Sequence, residues 1–281
     1  MITGATGYVG RALSAWFIDK GIPYRAASRY PIETKELFND LNVESVRFDF
    51  EDSSTYQQTF EGVKTLFLIR PTVLRELQPM EDTLRAAKFF GVNRVVFLSV
   101  LASEKMSFLP HRKIEKLLIH LGFNYTILRA SLFMQDLLKY QQTDIREHHV
   151  LNIPAGLGET SFIDSRDVAE TAFLSLMGKH YSNEVYKMTG KQSLSMYHVA
   201  EILSDEIGCK IIYTNPTKHQ FIKTYLHRGF SNEYTAQLAN VYTSVKNGFS
   251  KRISLDTERT LQREPRYLKE FIRDHKEAFI E

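Results

Sequence analysis

Cysteine is almost missing from this chain: Cys209 is the only one in 281 residues. One thiol closes no internal disulfide and offers no thiolate cluster to a metal. A disulfide-stapled secreted scaffold is therefore excluded, and a reducing, cytoplasmic setting is expected. Cys209 follows a glycine and precedes a β-rich run, and it reads as core filler. Long hydrophobic runs are missing too. No stretch approaches the roughly 20 apolar residues that a membrane helix needs. Met1-Ile2-Thr3 runs straight into glycine, without the apolar core of a leader. Nor is charge of one sign concentrated anywhere. The net charge is +3, with Lys and Arg scattered through both halves. Neither nucleic acid nor a membrane is expected as a partner. No His, Cys or Asp grouping has metal-ligand spacing, so no metal is expected, and no G-x-S-x-G elbow occurs.

What is present suits a packed α/β protein. Apolar residues make up 43% of the chain, enough for a substantial core. Strands are predicted at Met1–Thr3, Tyr24–Ala27, Val46–Phe48, Thr65–Ile69, Arg94–Ser99 and Tyr125–Arg129. Amphipathic helices are predicted between them at Val9–Lys20, Glu76–Phe90 and Arg112–Leu121. That alternation implies βαβ units, and the continuously apolar runs Leu66–Ile69 and Val95–Leu98 imply strands covered on both faces. The expected fold is a doubly wound parallel sheet, a Rossmann-type α/β domain, with a smaller and mostly helical C-terminal substrate lobe. Past Arg129, helices are predicted at Phe133–Gln142, Asp164–Met177, Ser195–Ile207 and from Arg266 to about Phe279. Val185–Met188 reads as a strand returning to the sheet. The first domain is expected to hold 1–131 plus about 164–190, and the lobe about 132–163 and 191–281.

Gly4-Ala5-Thr6-Gly7-Tyr8-Val9-Gly10 is the most informative segment. It lies between an apolar start and a helix. Gly4 suits the tight turn after a first strand, Gly7 the close approach of backbone to a pyrophosphate, and Gly10 the packing of the new helix. Backbone N–H groups and the helix N-terminus then bind phosphate. Gly4, Thr6, Gly7, Tyr8, Val9 and Gly10 are thus candidate cofactor residues. Only three residues precede Gly4, about 10 Å of strand, short for a sheet centre, which leaves a start further upstream open. The second strand ends Ala26-Ala27-Ser28-Arg29, with no carboxylate for a ribose 2′-hydroxyl. Ser28 and Arg29 suit a 2′-phosphate, so NADP (NADPH) is the expected cofactor rather than NAD. Asp49 and Phe50 are expected to flank the adenine, although Asp49 also suits a helix cap. Arg70, before Pro71, is read as meeting a substrate anion, a cofactor phosphate or only solvent. Ser131 and Phe133, after the sixth strand, are expected to line the nicotinamide pocket.

The opening Thr3-Gly4-Ala5-Thr6-Gly7-Tyr8-Val9-Gly10 resembles that of the extended and atypical short-chain dehydrogenases. Val96–Ser99, Lys113-Ile114-Glu115, Tyr125–Arg129 with Phe133-Met134, Phe162–Ala169 and Arg263–Leu268 are similar, in that order and spacing, to the NmrA-like group. The resemblance covers nearly the whole chain. It implies an NADP-dependent quinone, dye or aromatic-alcohol reductase, or a catalytically silent NADP-sensing regulator with a protein partner. Nucleoside-diphosphate-sugar epimerases are more distant relatives that share the glycine loop. Typical short-chain dehydrogenases place a proton-donating Tyr four residues before a Lys, with a Ser on the preceding strand. The resemblance transfers Ser99 and Lys113 but no tyrosine, because Leu109 stands at that position and no tyrosine occurs between Gly91 and Asn124.

That gap matters chemically. Reducing a ketone, or epimerising a sugar through a keto intermediate, needs a placed acid, and such an acid contributes about 10²–10⁴-fold. A conjugated acceptor such as a quinone spreads the incoming charge and tolerates a weaker donor. His111 is the one nearby donor candidate; it also reads as an exposed helix-start residue after Pro110. The expected activity is hydride transfer to a small apolar or quinone-like substrate. The alternatives are an NADP(H) sensor without turnover and, further off, an epimerase-type enzyme.

Overall fold

The computed structural model describes every residue except Val73, Arg75, Lys179, His180 and Glu281. The chain divides into two compact units, Met1–Ala130 with Ser165–Lys187, and Ser131–Asp164 with Met188–Glu281.

The first unit is built on a sheet of β1 (Ile2–Thr3), β2 (Tyr24–Ser28), β3 (Val43–Arg47), β4 (Thr65–Ile69), β5 (Arg94–Val100) and β6 (Asn124–Ala130). Their order is β3-β2-β1-β4-β5-β6, and each adjacent pair runs parallel. A seventh strand, Glu184–Met188, lies beside β6. The helices are α1 (Tyr8–Asp19), α2 (Pro31–Phe38), α3 (Tyr56–Phe60), α4 (Gln78–Phe89) and α5 (Pro110–His120), joined by Ser165–Met177 from later in the chain. On one face, α1 packs on Ser165–Met177, with Trp16 stacked on Phe173 at 5.5 Å and Phe17 edge-on to it at 5.2 Å. On the other, Leu66, Leu68, Val95 and Phe97 form a core with Phe60, Leu84, Ile114 and Leu118. Burial on both faces explains the unbroken apolar strands and makes this a doubly wound Rossmann-type sheet. The order reverses between β1 and β4, so the ligand crevice of this topology opens at the carboxyl ends of those strands. Thr3 ties them: its hydroxyl donates to Phe67 O at 3.0 Å and accepts from Ile69 N–H at 3.0 Å.

The second unit is mostly helical. It holds a π-helix (Leu137–Gln141), α6 (Gln142–His148), α8 (Met196–Ile207), α9 (Lys218–His227), α10 (Asn232–Lys246), α11 (Asp256–Leu261), α12 (Leu268–Asp274) and α13 (Lys276–Ile280), with α7 being Ser165–Met177 of the first unit. Its core runs through Met134, Leu137, Ile145, Val199, Leu203, Phe221, Tyr225, Tyr242, Phe271 and Phe279. Three expectations change here. The helix predicted over Phe133–Gln142 starts as a π-helix at Leu137, and the single helix predicted from Arg266 is two, separated at His275. Cys209 is half-buried rather than core, with its Sγ 3.6 Å from His149 Nδ1. Among the described residues, no helix is long and apolar enough to cross a membrane, and no group of three His, Cys, Asp or Glu could hold a metal.

Candidate functional site

The glycine loop follows β1 at the crevice edge. Gly4 has φ +62°, the left-handed region open to glycine at little cost. A Cβ on Gly10 would lie 2.1 Å from Gly4 O and 2.7 Å from Ala5 Cα, so only glycine lets α1 start this close to the loop. Gly7 is different. Its φ is −79°, and an added Cβ would meet only Gly4 O, at 3.4 Å. Neither backbone nor packing demands glycine there, which leaves approach of a ligand as the reason for it. Gly7 is also the N-cap of α1 and offers no side-chain cap. The first intrahelical donor is Arg11 N–H, to Gly7 O at 2.8 Å. The preceding amides therefore lack intrahelical acceptors and, with the helix dipole, form an anion site. Thr6, Gly7 and Tyr8 are exposed, whereas Val9 is buried and contributes backbone only. Arg11, which the sequence reading missed, crosses this loop: its Nε donates to Thr6 O at 2.7 Å. Its signal was a cation four residues after Gly7 on the helix face.

At the end of β2, Ser28 shares a 2.6 Å hydrogen bond with Thr34. Arg25, on the same strand, is spent on structure, pairing with Glu44 at 2.9 Å and donating to the carbonyls of Gln58, Thr59 and Glu61. Arg29 is exposed, lies over the Tyr30 ring at 5.7 Å and has no carboxylate partner among the described residues. An unpaired guanidinium and a hydroxyl at this strand end fit a 2′-phosphate. Asp49 is half-buried, and its Oδ1 accepts from Glu51 N–H at 3.0 Å, leaving the other oxygen open. Phe50 corrects an expectation. Its ring is buried and edge-on to Phe48 at 4.7 Å, so it is core and not an adenine-facing surface.

The residues proposed for chemistry separate. Ser99 was expected to polarise a substrate carbonyl. Instead it is buried, and its hydroxyl donates to Glu115 Oε1 at 2.6 Å. Glu115, wholly buried, also accepts from Ser103 at 2.7 Å, Arg112 at 2.8 Å and Arg129 at 3.0 and 2.7 Å. Burial alone pushes the Glu115 carboxyl up, but these donors, Arg129 first, hold it at about 2. This cluster ties β5, α5 and β6 together; Ser99 belongs to it and has no proton left for a substrate. His111 is likewise not the expected donor. It is half-buried and stacked on Phe97 at 6.2 Å. Burial, then the charge of Arg70, lowers its imidazolium to about 4. At neutral pH the ring is uncharged and carries no acidic proton to give. Lys113 stands exposed in the first turn of α5, whose N-cap Leu109 supplies no side-chain cap. Arg70 donates to Leu74 O through Nη2, while its buried Nε has no partner. Ser131 and Phe133 belong to the second unit. The Ser131 hydroxyl is buried without a partner, and Phe133 bridges to Ile163.

Comparison with known proteins extends the geometry. The sequence profile of the NmrA-like family matches residues 1–272. An NAD(P)H azoreductase of Xenophilus azovorans is 26% identical over 283 residues, covering 99% of this chain and 98% of that protein. An NADPH-dependent quinone oxidoreductase of Escherichia coli, solved with NADPH, superposes with TM-score 0.86 at 22% identity, over 96% of this chain and 97% of its own. NmrA, a negative transcriptional regulator solved with NADP, superposes with TM-score 0.77 at 16% identity, over 97% and 93%.

Proposed function

The chain belongs to the NmrA-like family, and from that premise we propose that it is an NADPH-dependent reductase of a small apolar, quinone-like acceptor. The observation that carries this reading is the glycine loop with its open Gly7 and uncapped α1, set beside an Arg29 that has no acidic partner. The first-turn amides of α1 and Arg11 would hold the pyrophosphate, Ser28 and Arg29 the 2′-phosphate, and Asp49 the adenine edge. When bound, the cofactor supplies hydride. Lys113, exposed at the start of α5, would orient the ribose, and the buried Glu115 cluster fixes the helix that carries it.

The choice of acceptor follows from what is missing. Leu109 replaces the usual acid, Ser99 is committed to Glu115, and His111 is neutral. A ketone would have to take hydride without a placed proton donor. A quinone or dye delocalises that charge and draws its proton from solvent. The azoreductase and quinone oxidoreductase among the similar proteins act on conjugated acceptors by their names. Steady-state NADPH oxidation over a panel of quinones and azo dyes tests this. Turnover with conjugated acceptors and none with simple ketones or nucleotide-sugars is expected.

The same missing acid favours one other reading, an NADP(H) sensor without turnover; a negative transcriptional regulator solved with NADP is among the similar structures. NADPH binding with no oxidation across the whole panel would select it.

A further inference from the structure

Arg70 stands at the crevice with no part in the proposed chemistry. It follows β4 directly, at the end of a strand where the sheet order reverses. Its neighbour Ile69 borders the glycine loop: a Cβ on Gly4 would lie 3.2 Å from Ile69 Cδ1. Pro71 then opens a turn, closed by Leu74 N–H donating to Pro71 O at 3.2 Å. The Arg70 side chain folds back on that turn, with Nη2 donating to Leu74 O. The guanidinium is thereby held at one end and fixed in direction. Its charge reaches His111, in the first turn of α5.

Other sheltered arginines of the first unit are saturated. Arg25 has Glu44 and three carbonyls. Arg94 has the carbonyls of Ser175 and Gly178 and the Ser182 hydroxyl. Arg112 pairs with Glu115, and Arg129 with Glu104 and Glu115. Arg70 is half-buried, yet Leu74 O is its one acceptor and no carboxylate pairs with it among the described residues. Its Nε is buried without a partner. Burial acts against the charge and lowers its pKa from the ordinary arginine value. His111, uncharged at neutral pH, offers no compensation. A sheltered cation with unused donors and no counter-charge is unfavourable by itself and becomes favourable when a ligand brings the anion.

We propose that Arg70 is a specificity residue that binds an oxyanion, a carboxylate or sulfonate, carried at the edge of the acceptor. The inference rests on the reductase reading for its purpose and narrows its substrate class. The same anion chemistry has a second source, a phosphate of the cofactor. Both cofactor sites are provided for elsewhere: the α1 amides and Arg11 after β1 suit the pyrophosphate, and Ser28 and Arg29 after β2 suit the 2′-phosphate. Arg70 lies on the other side of the order reversal, after β4 and beside His111 of α5, the helix whose Lys113 would orient the ribose. The anion left for it is the acceptor's. A planar guanidinium fork pairs with two oxygens of one oxyanion, which a point charge does not. A cationic acceptor is repelled.

The probes are 4-(4-dimethylaminophenylazo)benzoate and its primary amide, which share one conjugated body and differ in charge. Their binding is followed by dye absorbance, with oxidised NADP present and with the protein alone, so that nothing turns over. Wild type is expected to bind the acid about tenfold or more tightly than the amide, and added salt to narrow the gap. Arg70→Leu is expected to bind the two alike, chiefly by losing affinity for the acid. Arg70→Lys keeps the charge without the fork and retains part of the preference. In turnover, Arg70→Leu raises KM for the acid about tenfold and much less for the amide. Thermal melts check folding, and Arg70→Gln, which can still donate to Leu74 O, takes the place of Arg70→Leu if that variant does not fold. Wild type binding acid and amide equally overturns the proposal. So does an Arg70→Leu that keeps the preference but loses about tenfold in NADPH affinity, which assigns the guanidinium to a cofactor phosphate. NADPH oxidation with neutral quinones reports on the reductase reading alone. No turnover beside an Arg70-dependent acid preference would sink that reading and leave the anion site standing.

Discussion

Gly7 and Gly10 sit three residues apart in one loop and fill different needs. At Gly10 a methyl group would overlap Gly4 O and the Ala5 backbone. Gly10→Ala is expected to cost about 3 kcal/mol or more, read as a lowered midpoint in chemical denaturation. At Gly7 the methyl meets one carbonyl at ordinary contact distance. Gly7→Ala should melt close to wild type yet bind NADPH about tenfold or more weakly by titration. Equal destabilisation by both would mean that Gly7, too, is architectural. The residue types and spacing were legible in the sequence because the loop is local. The division of labour between the glycines needed the position of Gly4 O. Arg29 was legible in the same way, from the absence of a carboxylate at the strand end. What could not be read was that Arg25 is consumed by Glu44 and three carbonyls while Arg29 is not.

At the level of elements, the end of β5, the start of α5 and the end of β6 are joined through one buried carboxylate. Removing a partner from such a cluster leaves an uncompensated charge, at about 3–5 kcal/mol. Glu115→Gln should be destabilised at neutral pH. The acid arm of its stability curve should also change. The native Glu115 carboxyl sits near 2 against an unfolded value near 4.5, so its contribution is present above about pH 4.5 and disappears as pH falls toward 2. His111, lowered from 6.5 to about 4, adds a loss that begins higher, as pH falls below 6.5. Melts from pH 7 to pH 3 should therefore decline in wild type, and Glu115→Gln should flatten only the lower part of the decline. An unchanged slope below pH 4.5 would contradict the assignment. Sequence reading located β4 at Thr65–Ile69 as observed and most other strands to within a residue or two, because apolar runs and glycine breaks are local signals. It missed the Glu115 cluster and assigned Ser99 to catalysis. The Glu115 cluster draws its members from β5, α5 and β6, and no spacing rule brings Glu115, Arg129 and Ser99 together. The π-helix was missed for a related reason: its apolar pattern is that of an ordinary helix, and the wide turn is set by the Tyr140–Tyr225 and Gln141–Tyr225 contacts across the second unit.

For the whole molecule, the proposed function asks one sheet edge to hold a nucleotide through backbone amides and a few cations, without a metal and without a strong acid. A ligand that binds only the folded chain stabilises it by about 2.7 kcal/mol at a hundredfold excess over Kd. NADPH should accordingly raise the melting temperature by several degrees, and NADH should do so much less. The most direct measurement is calorimetric titration of NADPH and NADH into wild type and Arg29→Ala. NADPH is expected to bind wild type at least tenfold more tightly than NADH, and Arg29→Ala to lose most of that preference while its NADH affinity stays put. If neither nucleotide binds wild type, or if Arg29→Ala keeps the full preference, the glycine loop and the β2 terminus do not form the site described here.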